Sequence, residues 1–519
     1  MSVLAASFVL VTLCTLLYAF IRYRLSYWQR RKVFFVPPSA PLGNYGPCFL
    51  GKKGLSETMA GIYREHRDER YVGTYFLLTP LLQLHDPEII RQVFIKEFQD
   101  FNGRGNYCDP EADPLSGHLF MLGGQPWRNM RVKLSPTFTT GKMRSMFNTI
   151  SECAGFLREH IEASMKAAGG GYEEDVRELV ARFSTDVISS VAFGIESNSM
   201  KNPDSEFRRM GQAVFDPSLE VNIRTLLTFF GRDIMKAFSI RSTPGAIHDF
   251  FTRIVDEMVS YRETNKVERA DMLNLLIKLK NDGFVPPDNS TDEKDKSADA
   301  TPDAKQKLTM KQITAQVFVF FVAGYETTST TTSFTLYELA KHPDIQKKLI
   351  EEVDGVMAKH NGQPTYDAIM EMPYMEMVIQ ETMRMYPPVP FLTREANVKR
   401  TLPLTDLTLE KGTTLMIPVI GLHHDPQYWE EPDRYNPLRF TEEAKKARPN
   451  MVYIPFGDGP RICIGMRMAL VQVKIALSTI LSKATVTLAP GMPSTPRMSP
   501  RTVVPTPIDG IRLTLTPRN

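Results

Sequence analysis

The amino-acid sequence predicts a mostly α-helical domain with a small β-rich lobe, preceded by one transmembrane helix. Three observations lead to this fold class: a long uncharged run at the N-terminus, helical patterns of apolar residues over most of the chain, and a few short β-rich runs. The 519 residues are 42% hydrophobic and 23% charged, which excludes a disordered or low-complexity protein. The net charge of +3 gives no indication of a nucleic-acid partner.

The first element is the uncharged run from Val3 to Ile21, which as a helix would be about 28 Å long, close to the hydrocarbon thickness of a bilayer. A cleaved signal peptide is the alternative, but no basic region precedes the run and its apolar core is too long. Basic and aromatic residues follow between Arg22 and Lys32, so the rest of the chain should face the cytosol. We expect a membrane anchor over residues 1–21, a basic and proline-rich hinge over 22–43, and one domain over 44–519.

The next elements are two β-rich runs, Tyr71–Leu78 and Leu81–His85, whose short separation predicts a hairpin. Asp86 and Pro87 then supply an N-cap and a first-turn proline, which together predict the start of a helix.

Long helical patterns dominate the remainder of the chain. The polar stretch Phe284–Lys305 predicts an exposed loop inside the domain. Near the C-terminus, the sequences ATVTLAP and IRLTLTP predict a late pair of strands.

The cysteines have no paired spacing, which argues against a disulfide framework and for a reducing compartment: they are Cys14, Cys48, Cys108, Cys153 and Cys463. Cys463 lies in the glycine-rich sequence FGDGPRICIG, directly before a strong helical pattern. A helix N-terminus lowers the pKa of a thiol, and glycines allow the backbone to close around the sulfur. Such a thiolate could be a nucleophile, a redox thiol or an axial haem ligand, whereas most lone cysteines are structural.

A long apolar helical pattern carries an acid and a hydroxyl side by side, Glu326 and Thr327, next to the small residues Ala323 and Gly324. Polar groups buried on such a helix are costly unless they are hydrogen-bonded or used in chemistry. In the structural alternative, the Thr327 hydroxyl bonds to a carbonyl one turn earlier and kinks the helix beside Gly324.

Two further pairs have ordinary structural interpretations when taken alone. Glu381 and Arg384 lie three residues apart, which on a helix predicts an exposed ion pair. Trp127 and Arg131 lie one helical turn apart, which predicts a cation–π pair.

The sequence FGDGPRICIG fills every specified position of FGxGxRxCxG, so the chain resembles the cytochrome P-450 family of haem-thiolate monooxygenases. The resemblance implies that Cys463 is the axial ligand of the haem iron, that Phe456 packs beside the thiolate, and that Arg461 meets a haem propionate. Donation from the thiolate to the iron favours cleavage of the O–O bond.

AGYETT is similar to the oxygen-binding helix of the same family. It implies that haem b lies between the helix carrying Ala323 and Thr327 and the helix that begins near Cys463. It also implies a local distortion of the first helix that makes room for O2 and a water. Thr327 would then hydrogen-bond the bound oxygen, and Glu326 would help to relay protons.

ETMRMYPP and RYNPLRF are similar to the ExxR and PxRF phrases of the family. They imply a buried structural cluster of Glu381, Arg384 and Arg439, although Leu438 stands where the family often has Glu. The resemblance further implies that several charged or N–H donors bind the haem propionates: Arg104, Trp127, Arg131, Arg394 and Arg461.

The resemblance implies a membrane-bound enzyme that uses O2. Since the chain has no convincing nucleotide or flavin motif, electrons would have to come from a partner. The resemblance implies that this partner is an NADPH-cytochrome reductase, with cytochrome b5 as an accessory donor. The same likeness places the protein in the endoplasmic reticulum membrane, with residues 44–519 as the monooxygenase domain on the cytosolic side. Basic residues near the haem elements are candidates for the surface that faces the reductase, although each is also an ordinary solvated charge: Arg128, Lys133, Lys142, Arg467 and Lys474.

Phrases such as DPLSGHLF and LSPTFTTGKM are most similar to insect detoxification members, which implies lipophilic substrates such as plant toxins or insecticides. The alternatives are biosynthesis of an endogenous hormone or lipid, a haem-binding sensor without turnover, and rearrangement of hydroperoxides without O2, against which the intact Glu326 and Thr327 argue. Candidates for the substrate pocket follow from family positions and are otherwise core residues: Phe120, Val322, Val389, Leu392 and Val503.

Overall fold

The computed structural model describes residues 3–285 and 306–518, and most of this part of the chain is helical. The α-helices are α1 (Val3–Leu25), α2 (Tyr27–Arg30), α3 (Gly46–Phe49), α4 (Leu55–Glu65), α5 (Pro87–Arg91), α6 (Gly124–Leu134), α7 (Thr140–Ala168), α8 (Val176–Ile188), α9 (Glu206–Val214), α10 (Leu219–Phe230), α11 (Arg232–Ala237), α12 (Gly245–Asn265), α13 (Met272–Asn281), α14 (Met310–Lys341), α15 (Pro343–Lys359), α16 (Tyr366–Met370), α17 (Pro373–Met385), α18 (Val419–His423), α19 (Glu442–Ala447) and α20 (Met466–Leu481).

The strands form three small sheets, so the predicted fold class is confirmed. Their bounds are β1 (Tyr71–Phe76), β2 (Thr79–Leu84), β3 (Tyr172–Asp175), β4 (Leu392–Glu395), β5 (Arg400–Thr401), β6 (Thr408–Leu409), β7 (Thr414–Ile417), β8 (Ala484–Leu488) and β9 (Arg512–Pro517). The sheet orders are β1-β2-β7-β4, β3-β9-β8 and β5-β6. Within the first sheet, β2 and β7 run parallel and the other neighbours run antiparallel.

Several local predictions are confirmed. Strands β1 and β2 form the predicted antiparallel hairpin, and β8 pairs with β9 as the predicted late strand pair. The Asp86 carboxylate caps α5 by accepting the backbone N–H groups of Glu88 and Ile89, at 2.8 and 3.3 Å. The predicted loop Phe284–Lys305 lies outside the described residues from position 286 onward.

The N-terminal helix α1 is long and apolar enough to cross a membrane over Ala5–Leu25, and this span is not buried in the protein. Trp28, which follows it, is fully buried. Its indole N–H donates to the Thr74 carbonyl at 3.1 Å, and a Cβ at Gly73 would lie 2.5 Å from the indole ring. The part of the expected hinge that carries Trp28 is therefore packed firmly against the first sheet.

Helix α14 is the centre of the domain. Its N-terminus is fixed by a capping box in which Thr309 and Gln312 bond reciprocally to each other's backbone N–H groups. At 1.5 Å per residue its 32 residues extend about 48 Å, and it contacts α8, α12, α17 and α20. The largest apolar core cluster surrounds this helix, whereas a second cluster lies under the first sheet.

Candidate active site

A cavity lies between α14 and the segment that leads into α20. Ala323, Gly324 and Thr327 form part of its wall on α14, and Phe456 and Cys463 form part of the opposite wall. Most of the lining is apolar, and no described residue in the wall carries a carboxylate.

The cysteine loop folds tightly because its glycines adopt conformations that other residues avoid. Gly457 and Gly459 have φ angles of 71° and 68°, and a Cβ at Gly459 would lie 2.2 Å from the Phe94 carbonyl oxygen. The Cys463 N–H donates to the Phe456 carbonyl at 3.0 Å, which closes the loop. The Cys463 thiol consequently faces the cavity.

The sequence-based expectation that the helix lowers the pKa of Cys463 is wrong. Burial raises the pKa of this thiol and outweighs the opposing hydrogen bond from Gly465 and the charges of Arg131 and Arg104. The physical reason is that α20 begins only at Met466, so the thiol lies outside the first helical turn among apolar neighbours. Coordination to a metal ion would deprotonate this thiol outright.

Four arginines gather near one end of the cavity without a carboxylate among them. Burial, followed by the charges of Arg104, Arg394 and Arg131, lowers the pKa of Arg461 to about 7. Burial lowers the pKa of Arg104 to about 10 and that of Arg394 well below its ordinary value. The Nε atoms of Arg104, Arg394 and Arg461 are buried and have no hydrogen-bond partner. Such a set of cations requires an anionic ligand.

Other contacts order this cationic cluster. Arg131 donates to the Ile462 carbonyl at 3.1 Å, and the Arg461 guanidinium lies 4.4 Å from the centre of a Trp127 ring. Arg394 does not line the cavity within the described residues, but it is near enough to Arg461 to lower the pKa of that residue. A thiol facing the cavity and unbalanced cations at its end fit a haem, whose iron would bind Cys463 and whose propionates would bind the cations.

On α14, the Thr327 hydroxyl donates to the Ala323 carbonyl at 2.6 Å, as in the structural alternative. The backbone is helical throughout this turn, because α14 continues without interruption from Met310 to Lys341. Glu326 does not line the cavity. Its carboxylate is buried on another face of α14, where it forms an ion pair with Arg177 of α8. The structure thus brings Thr327, but not Glu326, to the cysteine.

The structure brings Glu381, Arg384 and Arg439 together. Arg384 donates to both carboxylate oxygens of Glu381, at 2.7 and 2.8 Å, and to the His423 carbonyl at 2.9 Å. The Arg439 Nε atom lies 3.3 Å from a Glu381 oxygen, which also accepts the Asn436 N–H at 3.0 Å. Both side chains of the first pair are fully buried, unlike those of an exposed helical ion pair.

Phe120, Val389 and Leu392 line the cavity, whereas Val322 and Val503 are not part of its described wall. Val322 packs against the large core around α14, and Val503 packs against the core cluster that includes Phe230 and Phe391. The sequence did not indicate several apolar wall residues that come from separate parts of the chain: Leu119, Ile188, Met272, Val319 and Phe320. Leu119, next to Phe120, and Val319 and Phe320, within one turn of Ala323, did lie beside predicted residues.

Two of the basic residues expected on the reductase-facing surface are buried, which corrects that prediction for them. The Lys474 side chain is 3% exposed and lies 2.8 Å from the Glu376 carboxylate, and Lys133 donates to the Gln306 carbonyl. Their burial follows from packing of α20 and α6 against the core. Lys142 is half-buried, whereas two of the five are exposed: Arg128 and Arg467.

A predominantly helical domain, a cysteine in a glycine loop and converging cations define a haem-thiolate protein. The sequence model of the family described as Cytochrome P450 matches residues 37–515. "Cytochrome P450 6k1" of Blattella germanica is 38% identical, covering 98% of this chain and 96% of that protein. "Cytochrome P450 6a2" of Drosophila melanogaster is 36% identical, covering 98% of each chain. "Cytochrome P450 6d1" of Musca domestica is 36% identical, covering 90% of this chain and 91% of that protein.

The chain therefore belongs to the cytochrome P450 family. Membership makes it a monooxygenase-type oxidoreductase that uses haem and O2.

Proposed function

We propose that this protein is a membrane-bound monooxygenase that oxidises lipophilic small molecules, in particular foreign compounds such as plant toxins or insecticides. The observation that carries the proposal is the apolar cavity that has the Cys463 thiol on one wall and the Thr327 hydroxyl on another. An apolar wall binds and orients lipophilic molecules and excludes water. The likeness to insect detoxification members supports foreign compounds over an endogenous hormone or lipid, which remains the second candidate.

The residues around the cavity have two roles in this proposal: some hold the cofactor and others deliver protons. Haem held by Cys463 and the propionate donors supplies the activation of O2 and the insertion of one oxygen atom into the substrate. Arg104 and Arg461 balance the propionate charges in a site without carboxylates. The Thr327 hydroxyl holds a proton at the wall of the cavity, and Glu326 connects this turn of α14 to a polar cleft. Phe120 and Leu392 contact the substrate.

Electrons would arrive from NADPH through a reductase in the endoplasmic reticulum membrane, with cytochrome b5 as an accessory donor. The apolar span Ala5–Leu25 would hold this protein among the lipids of that membrane. The exposed Arg128 and Arg467 would contribute positive charge to the reductase-facing surface.

The experiment is turnover of the full chain with NADPH and a P450 reductase over a panel of lipophilic compounds. Oxidised products from several unrelated foreign compounds would support detoxification. Selective oxidation of one endogenous lipid would favour biosynthesis. If none of the compounds causes NADPH to be consumed, a haem-binding sensor would be favoured. Rearrangement of a hydroperoxide into an isomeric product, without NADPH and without oxidation of a second compound, would favour the rearrangement chemistry.

Replacing Thr327 with alanine is expected to separate NADPH consumption from product formation. The variant loses the positioned hydroxyl but none of the groups that hold haem, so hydrogen peroxide should be released instead of product. Loss of one positioned proton donor commonly lowers a rate by about 10² to 10⁴. The measurement is product and peroxide per NADPH with one reductase and one confirmed substrate. Thr327→Ser keeps the hydroxyl and is the control. Unchanged coupling in Thr327→Ala would mean that the Thr327 hydroxyl has only a structural role, through its bond to the Ala323 carbonyl.

Deleting residues 1–21 is expected to remove stable membrane insertion while leaving haem incorporation intact. Trp28 and its contacts with Gly73 and Thr74 lie beyond the deletion, so the packing of the first sheet is retained. The measurement is sedimentation with membranes, together with the haem content of the soluble fraction. A truncated chain that binds no haem where the full chain does would place the domain boundary before residue 22.

A further inference from the structure

A second cleft, called the polar cleft below, borders α14 on the face that carries Tyr325 and Glu326, and many charged side chains line it. Arg177 and Glu178 reach this polar cleft from the first turn of α8, and Arg208 reaches it from α9. Two adjacent residues of α8 and two adjacent residues of α14 thus line one cleft, together with an arginine from a third helix.

The first contact pairs Arg177 with Glu326. The backbone of α8 is fixed here, because the Asp175 carboxylate accepts the N–H groups of Arg177 and Glu178 at 3.0 and 3.4 Å. Arg177 forms the ion pair with Glu326 and also donates to the Thr506 hydroxyl at 3.2 Å. Since the Glu326 side chain is only 4% exposed, its negative charge depends on this arginine.

The second contact is made by Arg208, whose side chain is 3% exposed. It donates to the Tyr325 hydroxyl and forms an ion pair with Glu178. Helix α9 lies close against α14 at this point, because a Cβ at Gly211 would lie 3.2 Å from the Phe321 ring. Arg208 therefore connects α8, α9 and the turn of α14 that continues into Glu326 and Thr327.

We propose that Arg208 is a positioning residue for proton delivery. Because it pairs with Glu178 and holds the Tyr325 hydroxyl, Arg177 can pair with Glu326 alone. This inference rests on the proposed function, which assigns proton delivery to Glu326 and Thr327. Without Arg208, Glu178 would keep only Arg182, whose guanidinium lies 3.7 Å from Glu178 and also 3.6 Å from Glu174. The carboxylates of Glu178 and Glu326 would then compete for Arg177. Glu326 would lose the undivided contact that fixes its carboxylate on this face of α14, and proton delivery that depends on this carboxylate would slow.

The experiment compares two oxidants in the full-length, haem-loaded Arg208→Gln variant. Turnover with NADPH, O2 and the reductase depends on delivered protons, whereas hydrogen peroxide brings oxygen that is already reduced and protonated. We expect the NADPH-driven product rate to fall about tenfold, less than the 10² to 10⁴ for a group removed outright, with more peroxide released per NADPH. The peroxide-driven rate and the substrate Kd, measured from the haem spectrum, should stay within about twofold, as expected for a residue that contacts neither haem nor substrate.

Three further variants separate positioning from general structural support. The additional change Glu178→Gln removes the competing carboxylate, so the Arg208→Gln/Glu178→Gln variant should regain NADPH-driven product formation, although it has lost one more contact. Arg208→Lys keeps the cation and should remain within about twofold of the wild type. The charge-matched control is Arg253→Gln on α12. It breaks an exposed ion pair, 2.8 Å long, with Glu206, which lies on α9 as Arg208 does.

Unchanged coupling in Arg208→Gln, or equal losses with both oxidants, would overturn the inference, as would failure of the double variant to recover. If Arg208→Gln incorporates no haem, the double variant and Arg208→Lys decide, because both leave fewer unbalanced charges at the cleft. A wild-type protein that forms no product with any compound would instead contradict the proposed function.

Discussion

Replacing Cys463 with alanine is expected to abolish the haem-thiolate signature and all NADPH-driven turnover. The reason is that no other described cysteine lines the cavity, so no second thiolate can reach the iron. The measurement is the spectrum of the reduced protein with carbon monoxide, which reports whether the axial ligand is a thiolate. The expected result is complete loss of the thiolate band, with or without loss of haem itself.

A matched control is Cys153→Ala, which removes a thiol from the core on α7. Burial raises the pKa of Cys153 to about 12, so this cysteine stays protonated and packs as an apolar residue. The control should keep the carbon monoxide band of the wild type. Survival of that band in Cys463→Ala, or its loss in Cys153→Ala, would contradict the assignment of Cys463 as the ligand.

Features encoded by neighbouring residues were predictable from the sequence. The hairpin of β1 and β2, the cap at Asp86 and the pair of β8 and β9 depend on residue types within a few positions of each other. The glycine loop around Cys463 is also local, since it depends on the backbone conformations of Gly457 and Gly459 and on the bond from the Cys463 N–H to the Phe456 carbonyl, all within one short segment.

Features that depend on distant partners were not predictable in the same way. Glu326 faces away from the cavity because its partner Arg177 lies 149 residues earlier in the chain. The pKa of Cys463 is raised because several distant segments bury the thiol, an effect that helix position alone does not reveal. Lys474 did carry a local signal, because its neighbours Val473 and Ile475 are apolar and predict a buried position.

Replacing Glu381 with glutamine is expected to destabilise the domain by about 3–5 kcal/mol, because two buried arginines lose their only counter-charge in this cluster. Arg384 would keep its bond to the His423 carbonyl, but its two charged bonds at 2.7 and 2.8 Å would be lost. The measurement is urea unfolding of the haem-loaded protein, followed by the thiolate carbon monoxide band. The control is Glu442→Gln on α19, whose 73% exposed carboxylate pairs with Lys445 at 3.1 Å and should contribute less than about 1 kcal/mol.

A second variant tests whether geometry as well as charge matters in this cluster. Arg384→Lys keeps one positive charge but cannot form the two-pronged contact with Glu381 and also reach the His423 carbonyl. Its unfolding midpoint should therefore lie between those of the wild type and Glu381→Gln. Molecules of either variant that still hold haem should show an unchanged thiolate band, because Cys463 and its loop are intact. A shifted band at unchanged stability would mean that the cluster acts on the iron ligand and not on the packing of the domain.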